Sequence, residues 1–464
     1  MNVQAHPTER TIDRLRAVVV GRLITPSNDE YDAARQVAAG GVDRRPAVIV
    51  RPVDAADVAR LVEIARDSGL PLAVRSGGHS GAGHGVVDDG IVLDLRDMKA
   101  LEIDPEARTA WAETGLTAGE YTIAAAEHGL ATGFGDTGSV GIGGITLGGG
   151  IGYLVRKHGL TIDSLLAAEV VTADGRILVA DEQTNPDLFW AVRGGAGNVG
   201  VATRFKFRLH PLPEFTGGML ILPATPDVIA GFIAAAEAAP EDLSTIANIM
   251  PCPPMPFVPE ERHGDLVILG MLAFAGPPEA GAGAVAPFRA LATPIADMVR
   301  PSGYPEMYPP SDPDYHPTAV ARTMFLDTVD RDVAQTIVDT LTSSTASMKV
   351  VQLRVLGGAM ARVPADATAF AHRTSRIMAA VAAFYDGPDD RLVREAWVEA
   401  FAAALRQADH GAYVNFLNDE GEERVRAAYP GATWDRLAGI KARYDPTNLF
   451  RSNQNVPPAV AAGS

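Results

Sequence analysis

The amino-acid sequence predicts an α+β protein built from two domains. Three observations support this prediction. A strand–helix–strand pattern begins near residue 46, further strand patterns continue to about residue 212, and Pro-rich loops separate strands from Ala-rich helices after residue 213. The chain has 464 residues, of which 47% are hydrophobic, so it is long enough to bury more than one core.

The first domain opens with a βαβ unit. The apolar runs PAVIVRP (46–52) and PLAVRSG (71–77) predict two buried strands. Between them, residues 57–69 carry apolar side chains at helical spacing, and Gly69 stands where a helix would end. The segment RSGGHS therefore begins at the exit of the second strand.

Further strands and one helix complete the first domain. IVLDL (91–95) and ARTAWAETG (107–115) predict strands, and AGEYTIAAAEHG (118–129) predicts a helix. Residues 167–180 alternate around Asp174-Gly175, a pair that favours a β-hairpin because both turn positions tolerate positive φ. VGVATRFKFRLHPL (199–212) predicts the strand that closes the domain.

The second part of the chain differs in composition, with Pro-rich loops between its predicted strands and helices. DLVILGMLAFAG (265–276) and KVVQLRVLGG (349–358) predict strands, and Ala-rich segments predict helices between the loops. Proline is concentrated in residues 251–261 and 301–317, which are therefore predicted to be loops. These features are typical of a separate α+β domain.

Charge and cysteine content exclude several functional classes. The net charge of −17 and the pI near 5.0 disfavour nucleic acid or an anionic membrane as a partner. Cys252 is the one cysteine, so the chain can form neither a disulfide framework nor a cysteine-based zinc or redox site. The N-terminal 23 residues hold a short apolar patch flanked by arginines, which fits neither a signal peptide nor a membrane span. We expect a cytoplasmic protein that binds small molecules and no metal.

Glycine dominates residues 133–152, where it occupies ten of twenty positions. Bare successive N–H groups form nests that bind anions, so a pyrophosphate is a suitable ligand. GFGDTG (133–138) and GAGNVG (195–200) both match GxGxxG, but the first runs into more glycine where a nicotinamide-binding Rossmann unit needs a helix. We therefore reject the Rossmann interpretation. Tight turns in a β-rich domain remain the alternative, particularly for GAGNVG.

Taken in order, these motifs resemble a known family. RSGGHS is followed about sixty residues later by GSVGIGGITLGGGIGYLVRKHGL, then by NPDLFWAVRGGAGNVGVAT and a closing YDPTNLFRSNQNVPP. This series resembles the berberine-bridge-enzyme-like branch of the vanillyl-alcohol-oxidase (PCMH-type) FAD-linked oxidoreductases. The likeness covers nearly all of the first domain and the last fifty residues, whereas residues 213–405 resemble the family only loosely.

The resemblance implies a two-domain PCMH/VAO-type FAD-binding fold. Residues 1–212, with a core of about 42–212, would form the FAD-binding domain. Residues 213–409 would form an α+β substrate-binding domain in which helices cover an antiparallel sheet. The C-terminal segment 410–464 would return to the FAD-binding domain.

In this family the histidine of the R-x-G-G-H motif is joined covalently to the flavin, and His79 stands at that position. A neutral imidazole is a competent nucleophile, so the chemistry is consistent. Thr137 stands where many members carry a cysteine that forms a second flavin bond, so we expect attachment through His79 alone. The alternative is noncovalent FAD, with His79 completing a phosphate loop. His84 is more typical of a loop or packing histidine.

Other cofactor contacts are carried over by position from the family. Val140 falls where the family controls the access of dioxygen to the flavin, and a small side chain there favours an oxidase; an ordinary core valine is the alternative. The remaining expected FAD contacts are Arg75, Ser76, Gly77, Gly78, Ser80, Thr137, Gly138, Gly141, Gly143, Gly144, Gly148, Gly150, Val199, Gly200, Val201, Phe450, Asn453 and Asn455.

The candidate catalytic residues lie in two segments. AYVNFLND resembles the family's Y-x-N-Y segment, which makes Tyr413 the candidate base or orienting group and Asn415 its partner, while Phe416 replaces the final tyrosine. Gln352 and Arg354 are two apart on a predicted strand and so share one face. Gln352 would face the reactive edge of the flavin. Arg354 would lower the pKa of a tyrosine or receive an acidic group of the substrate. The alternative for both is the polar outer face of a half-exposed strand.

The resemblance implies an FAD-dependent oxidase. A small hydroxyl-bearing substrate, a natural-product alcohol or a sugar, would give a hydride to FAD, and dioxygen would become hydrogen peroxide. The alternatives are a cyclic-amine oxidase of the hydroxynicotine-oxidase type, a dehydrogenase with another electron acceptor, and a flavin-loaded binding protein. Tyr304, Tyr308 and Tyr315 are candidates for a substrate entrance. We expect a monomer or a homodimer whose partners are the substrate and dioxygen.

Overall fold

A computed structural model describes residues 7–310 and 312–460, so the first six residues of the N-terminal segment considered above lie outside it. The strands are β1 Arg22–Ile24, β2 Val48–Arg51, β3 Leu72–Arg75, β4 Ile91–Asp94, β5 Leu101–Asp104, β6 Thr109–Glu113, β7 Leu130–Ala131, β8 Leu165–Val171, β9 Ile177–Ala180, β10 Val201–Arg208, β11 His210–Pro211, β12 Phe215–Pro223, β13 Leu243–Pro251, β14 Leu266–Phe274, β15 Ala296–Asp297, β16 Arg300–Ser302, β17 Ala319–Leu326, β18 Lys349–Val355 and β19 Ile377–Phe384. The helices are α1 Pro7–Val18, α2 Tyr31–Arg35, α3 Ala55–Ser68, α4 Ala118–Ala126, α5 Ile142–Leu147, α6 Val155–His158, α7 Pro186–Val192, α8 Pro226–Ala238, α9 Pro278–Arg289, α10 Arg331–Ser343, α11 Ala359–Arg362, α12 Gly387–Leu405, α13 Glu422–Ala428 and α14 Ala432–Tyr444.

The predicted βαβ unit is confirmed in the first sheet, whose strand order is β1-β2-β4-β3. β2, β4 and β3 are parallel, and β4 lies between the two strands that α3 connects. Asp54 begins α3 because its carboxylate accepts a hydrogen bond from the backbone N–H of Asp57 at 2.7 Å. Gly69 ends the helix with φ of 70°, a conformation that favours glycine.

The second sheet is antiparallel, with the order β5-β6-β10-β8-β9. The predicted hairpin joins β8 to β9, and Gly175 takes the positive φ of 80° that its turn requires. Tyr121, Phe134 and Phe207 meet edge to face in the core beneath this sheet, with ring centroids 4.9–5.7 Å apart. This sheet and the first sheet support the glycine-rich segment between them.

The third sheet is antiparallel, as predicted, in the order β15-β12-β14-β13-β18-β19-β17, with β16 paired to β12. Apolar residues of α8, α10 and α12 form one buried core with one face of this sheet. The other face carries Val350, Gln352 and Arg354, which line a cavity shared with the first two sheets. The protein is therefore an α+β protein in which a helix-covered antiparallel sheet lies over the glycine-rich region.

The C-terminal segment packs into the core of the second sheet. Ala412, Val414 and Val456 belong to the same buried cluster as Phe205 and Phe207 of β10. Contacts of this kind bring the end of the chain beside residues that lie more than 200 positions earlier.

Arg156 of α6 connects the first part of the chain to the substrate-side sheet. The buried guanidinium donates to the carbonyl oxygens of Ala236 at 2.6 Å and Ala239 at 2.9 Å, at the C-terminal end of α8, and to that of Leu243 at 3.1 Å. A cation satisfies the free carbonyls at a helix C-terminus and opposes the helix dipole. This contact helps to fix the third sheet over the cavity.

A stacked histidine pair lies where the first part of the chain meets the third sheet. The rings of His158 and His210 are 4.0 Å apart and 12° from parallel. Burial, His210 and Lys157 lower the pKa of His158 to about 3, and burial with Arg208 lowers the pKa of His210 to about 4. Both imidazoles are therefore neutral in the folded protein at neutral pH.

We expect this pair to contribute to the loss of stability in acid. The folded-state pKa values lie below the unfolded value of about 6.5, so stability is complete above pH 6.5 and falls as the pH drops towards about 4. Urea denaturation across this range measures the fall. It should be shallower in His158→Gln and unchanged in His128→Gln, a substitution of an exposed histidine. An equal slope in wild type and His158→Gln would contradict this account.

Among the described helices, each is too short or too polar to cross a membrane.

Candidate active site

A cavity of about 570 Å³ lies between the three sheets. Its volume falls within the range of roughly 300–1,000 Å³ that cofactor and ligand sites occupy. One end lies against Leu72, Leu95 and Phe450, and the other lies against Gln352 and Tyr413. The cavity therefore extends from the parallel sheet to the antiparallel sheet.

The RSGGHS loop forms one wall. Arg75 lines the cavity, and its buried side chain donates to Asp94 at 2.9 Å and to the carbonyl oxygen of Ala34 at 2.6 Å. This ion pair fixes the strand end, and both side chains are fully buried. Gly77 lies so close to Gly141 that a Cβ atom on either would overlap the backbone of the other. Glycine is thus required where the two loops meet.

His79 projects from this loop into the cavity, where its side chain is exposed. Crowding by surrounding protein atoms lowers the pKa of its imidazole, and a hydrogen bond with the backbone of Ser139 partly opposes that shift. Nearby His84, 3.4 Å from Ser80 Oγ, has its pKa lowered by burial to about 4. Both histidines are neutral at neutral pH, and a neutral imidazole is the nucleophilic form.

The glycine-rich segment forms the adjoining wall with Thr137, Val140, Gly141, Gly143 and Gly144. A Cβ atom on Gly144 would meet no other atom within 4 Å, so this backbone borders open space. A ligand can therefore approach the main chain closely here.

Several expected contacts meet at the third wall. Gly200, Val201, Phe450 and Asn453 line the cavity, as do Ser76, Gly78 and Ser80 on the first wall. Asn453 donates to the carbonyl oxygens of Gly197 at 3.2 Å and Phe450 at 3.1 Å. Its Oδ1 atom is buried and accepts no hydrogen bond from any described residue, so it is available to a donor on a ligand.

Five of the expected contacts lie outside the lining of the cavity. Gly148 lies against the amide of Asn415, Gly150 against Tyr413 and Thr161, and Gly138 against Tyr308. Val199 is buried in the core of the second sheet, and Asn455 accepts a hydrogen bond from Lys441 at 2.9 Å. These residues support the wall from behind.

Tyr413 has three hydrogen-bond donors on its phenolic oxygen. The backbone N–H groups of Gly150 and Ile151 donate at 3.1 and 3.2 Å, and Asn415 Nδ2 donates at 2.9 Å. Burial raises the pKa of Tyr413, whereas these three donors and the charge of Arg354 lower it. The net shift of the pKa is upward, so Tyr413 is a neutral phenol at neutral pH, and the three donors stabilise the phenolate when it forms. Tyr413 and Asn415 both line the cavity, so the predicted pair is brought together.

Arg354 is buried and 3% exposed, so it is not on a half-exposed outer face. It donates to Asp136 Oδ2 at 2.5 Å, to Gln352 Oε1 at 2.7 and 3.0 Å, and to the carbonyl oxygen of Ile151 at 3.3 Å. Its guanidinium also lies 5.1 Å from the centre of the Phe416 ring. The predicted acceptor for an acidic substrate group is therefore already paired with a carboxylate of the protein.

Small apolar residues form the rest of the wall on the third sheet. Ala321 on β17, Val350 on β18, and Ala380 and Ala382 on β19 face the cavity. Val350 is paired with Ala382, and Gln352 with Ala380. This alanine floor leaves room for a flat group beside the polar side chain of Gln352.

The tyrosines considered for a substrate entrance have other positions. Tyr304 and Tyr308 are buried in a separate apolar cluster, share a hydrogen bond of 2.8 Å, and Tyr308 donates to the carbonyl oxygen of Gly135 at 3.0 Å. Tyr315 is 61% exposed. That hypothesis is wrong for Tyr304 and Tyr308, because packing beneath the glycine-rich segment uses their rings and hydroxyls.

Sequence reasoning missed Asp136 and Lys441. Asp136 is the one charged residue between positions 133 and 152, a signal that was available in the sequence. Lys441 is fully buried, and it donates to Asn198 Oδ1 at 3.3 Å and to the Phe450 carbonyl oxygen at 2.7 Å. It joins the GAGNVG loop to the C-terminal segment, and helical periodicity gave no sign of this role.

The cavity fits FAD. Glycine backbones border it along two walls, the unpaired Asn453 Oδ1 atom lies beside it, and Leu72, Leu95 and Phe450 form an apolar end. Backbone N–H groups at bare glycines suit a pyrophosphate, and an extended cavity with apolar walls suits aromatic rings.

Family models and known proteins agree with this assignment. Residues 46–181 match an "FAD binding domain" model, and residues 412–457 match a "Berberine and berberine like" model. (R)-6-hydroxynicotine oxidase of Paenarthrobacter nicotinovorans is 30% identical over 95% of this chain and 97% of its own. Xylooligosaccharide oxidase of Thermothelomyces thermophilus is 29% identical over 89% of this chain and 88% of its own.

A solved structure of 6-hydroxy-D-nicotine oxidase from Arthrobacter nicotinovorans superposes with a TM-score of 0.85 at 27% identity, covering 95% of this chain and 98% of that one. The fold is thus that of the vanillyl-alcohol-oxidase type of flavoprotein. The chain belongs to the berberine-bridge-enzyme-like family and is an FAD-linked oxidoreductase.

Proposed function

We propose that this enzyme is an oxidase that converts a small hydroxyl-bearing organic molecule, a natural-product alcohol or a sugar, to the carbonyl compound. The observation that carries this proposal is Tyr413, whose phenolic oxygen receives three N–H donors at the wall of the cavity. A phenolate placed there is a suitable acceptor for the hydroxyl proton of a substrate.

The chemistry supplied by bound FAD is acceptance of a hydride from the substrate carbon and transfer of two electrons to dioxygen, which gives hydrogen peroxide. Tyr413 takes the hydroxyl proton, and Asn415 holds the phenolic oxygen in place at 2.9 Å. Gln352 orients the substrate, because its side-chain oxygen is held by Arg354 and its amide nitrogen by Asn248 at 2.8 Å.

We further propose that FAD is attached through His79 alone. His79 lines the cavity with a lowered pKa, so its imidazole is the neutral nucleophile. Thr137 lines the same cavity and has no thiol, and Cys252 is buried in a different cluster, beside Val258 and Val267.

Release of hydrogen peroxide from air-saturated protein tests the oxidase. Panels of natural-product alcohols, sugars and cyclic amines would be compared, with heat-denatured protein as the control. Peroxide with alcohols or sugars supports the proposal. Peroxide with cyclic amines only would instead support the second candidate, a cyclic-amine oxidase, which the 30% identity to (R)-6-hydroxynicotine oxidase favours.

Val140 is expected to control the reaction with dioxygen, because it lines the cavity within the glycine-rich wall. Val140→Leu adds a methylene group and should slow reoxidation of the reduced flavin by about tenfold or more, a barrier increase of about 1.4 kcal/mol. Val140→Ala is the matched control and should reoxidise as fast as wild type. The measurement is stopped-flow absorbance after mixing reduced protein with air-saturated buffer.

Reoxidation of wild type within seconds supports the oxidase. Reoxidation over many minutes would indicate a dehydrogenase with another electron acceptor. Equal rates in Val140→Leu and wild type would remove Val140 from this role.

A further inference from the structure

The charged residues that line the cavity are all paired within the protein. Arg75 is paired with Asp94, and Arg354 with Asp136. The two histidines of the lining are neutral at neutral pH, and apart from these paired residues the other described lining residues carry no charge. A ligand at the Tyr413 end therefore meets a neutral surface.

The Arg354 guanidinium is held by other groups of the protein. All three guanidinium nitrogens of Arg354 donate hydrogen bonds, to Asp136, Gln352 and the carbonyl oxygen of Ile151. The amide nitrogen of Gln352 donates to Asn248 Oδ1, and Asn248 Nδ2 donates to the carbonyl oxygen of Leu269 at 3.2 Å. A carboxylate of the substrate would have to displace Asp136 to reach this cation.

The pair also joins the two walls of the cavity. Asp136 belongs to the glycine-rich segment, and Arg354 belongs to β18 of the antiparallel sheet. The alanine floor beside it is apolar, so an anion bound there would lose its hydration without gaining a partner. Burying an unpaired carboxylate is strongly unfavourable.

We propose that Asp136 is a positioning residue that keeps Arg354 occupied and so restricts the substrate to molecules that are uncharged at their reacting end. This inference rests on the proposed function and names its substrate class more closely. It excludes hydroxy acids and sugar acids, and it admits neutral alcohols whose flat or apolar part lies on the alanine floor.

Two probes of similar shape, one an anion and one neutral, test the proposal. Sodium benzoate and benzamide would be titrated into the flavin-loaded enzyme, and binding would be followed by the change in flavin absorption. Wild type should bind benzamide more tightly than benzoate. In Asp136→Asn, Arg354 keeps its charge but no longer has a carboxylate partner. The Kd for benzoate should therefore fall by about tenfold or more, a gain of about 1.4 kcal/mol in binding free energy.

Two further variants separate a specific effect from a structural one. Asp136→Glu restores the carboxylate and should bind benzoate as weakly as wild type. Asp136→Asn combined with Arg354→Met removes the cation and should abolish the gain. A flavin-loaded Asp136→Asn protein without tighter benzoate binding, or a wild type that prefers benzoate, would overturn the proposal.

The wild-type comparison keeps the test decisive if Asp136→Asn does not fold. Binding is measured without turnover, so these results are distinct from a failure of the proposed function. That failure would appear as wild-type protein that binds either probe but oxidises no alcohol or sugar.

Discussion

Replacing Tyr413 by phenylalanine is expected to lower kcat by about 10²–10⁴-fold, the usual contribution of a positioned general base. The substitution removes the phenolic oxygen that Gly150, Ile151 and Asn415 hold and leaves the ring in its buried site. Since the apolar contacts of the ring remain, KM should change only a few-fold. Steady-state peroxide release with the best substrate measures both constants.

The pH profile separates proton transfer from packing. Burial raises the pKa of Tyr413, so the phenolate fraction and kcat/KM of wild type should rise as the pH increases into the alkaline range. This rise should be absent in Tyr413→Phe. Tyr121→Phe is the matched control, because Tyr121 is a fully buried tyrosine in the core of the second sheet that donates or accepts one hydrogen bond with Thr132. An unchanged kcat in Tyr413→Phe would remove Tyr413 from the mechanism.

Replacing His79 by alanine is expected to abolish covalent retention of the flavin. After acid denaturation and precipitation, the yellow colour should stay with the wild-type pellet and leave with the His79→Ala supernatant. The physical reason is that the His79 imidazole lines the cavity in its neutral form, which is the form able to bond to the flavin. Absorption of the pellet and fluorescence of the supernatant give the two fractions.

His84→Ala is the control for a general loosening of the site. His84 lines the same cavity five residues later, and its pKa is also lowered, to about 4. Its replacement should leave the flavin in the pellet. Free release from wild type would show that FAD binds noncovalently and that His79 only completes the loop. Retention in His79→Ala would place the bond on another residue.

Short sequence patterns correctly predicted the turns and helix ends that depend on the backbone conformation of one or two residues. The hairpin at Asp174-Gly175 and the helix end at Gly69 follow from φ values that favour glycine, 80° and 70° in the structure. The position of β4 between β2 and β3 does not follow from any local signal, because strand order depends on contacts between distant segments. Contacts between distant segments also explain why the prediction of Tyr304 and Tyr308 at a substrate entrance was wrong. Whether a tyrosine in a loop is exposed or buried depends on the segments that pack against it.

The sequence by itself determined the kind of cofactor site and its position in the chain. Glycine is required at 77 and 141, where a Cβ atom would overlap backbone, and the family motifs give His79 and the Tyr413–Asn415 segment their proposed roles. The tertiary structure alone decided which charges meet. Asp136 and Arg354 are 218 positions apart, so no local sequence pattern contains both residues. In the structure they nevertheless form an ion pair. Long-range electrostatics is set by the packing of domains, so the neutral surface beside Tyr413 emerges only when the antiparallel sheet lies over the glycine-rich wall.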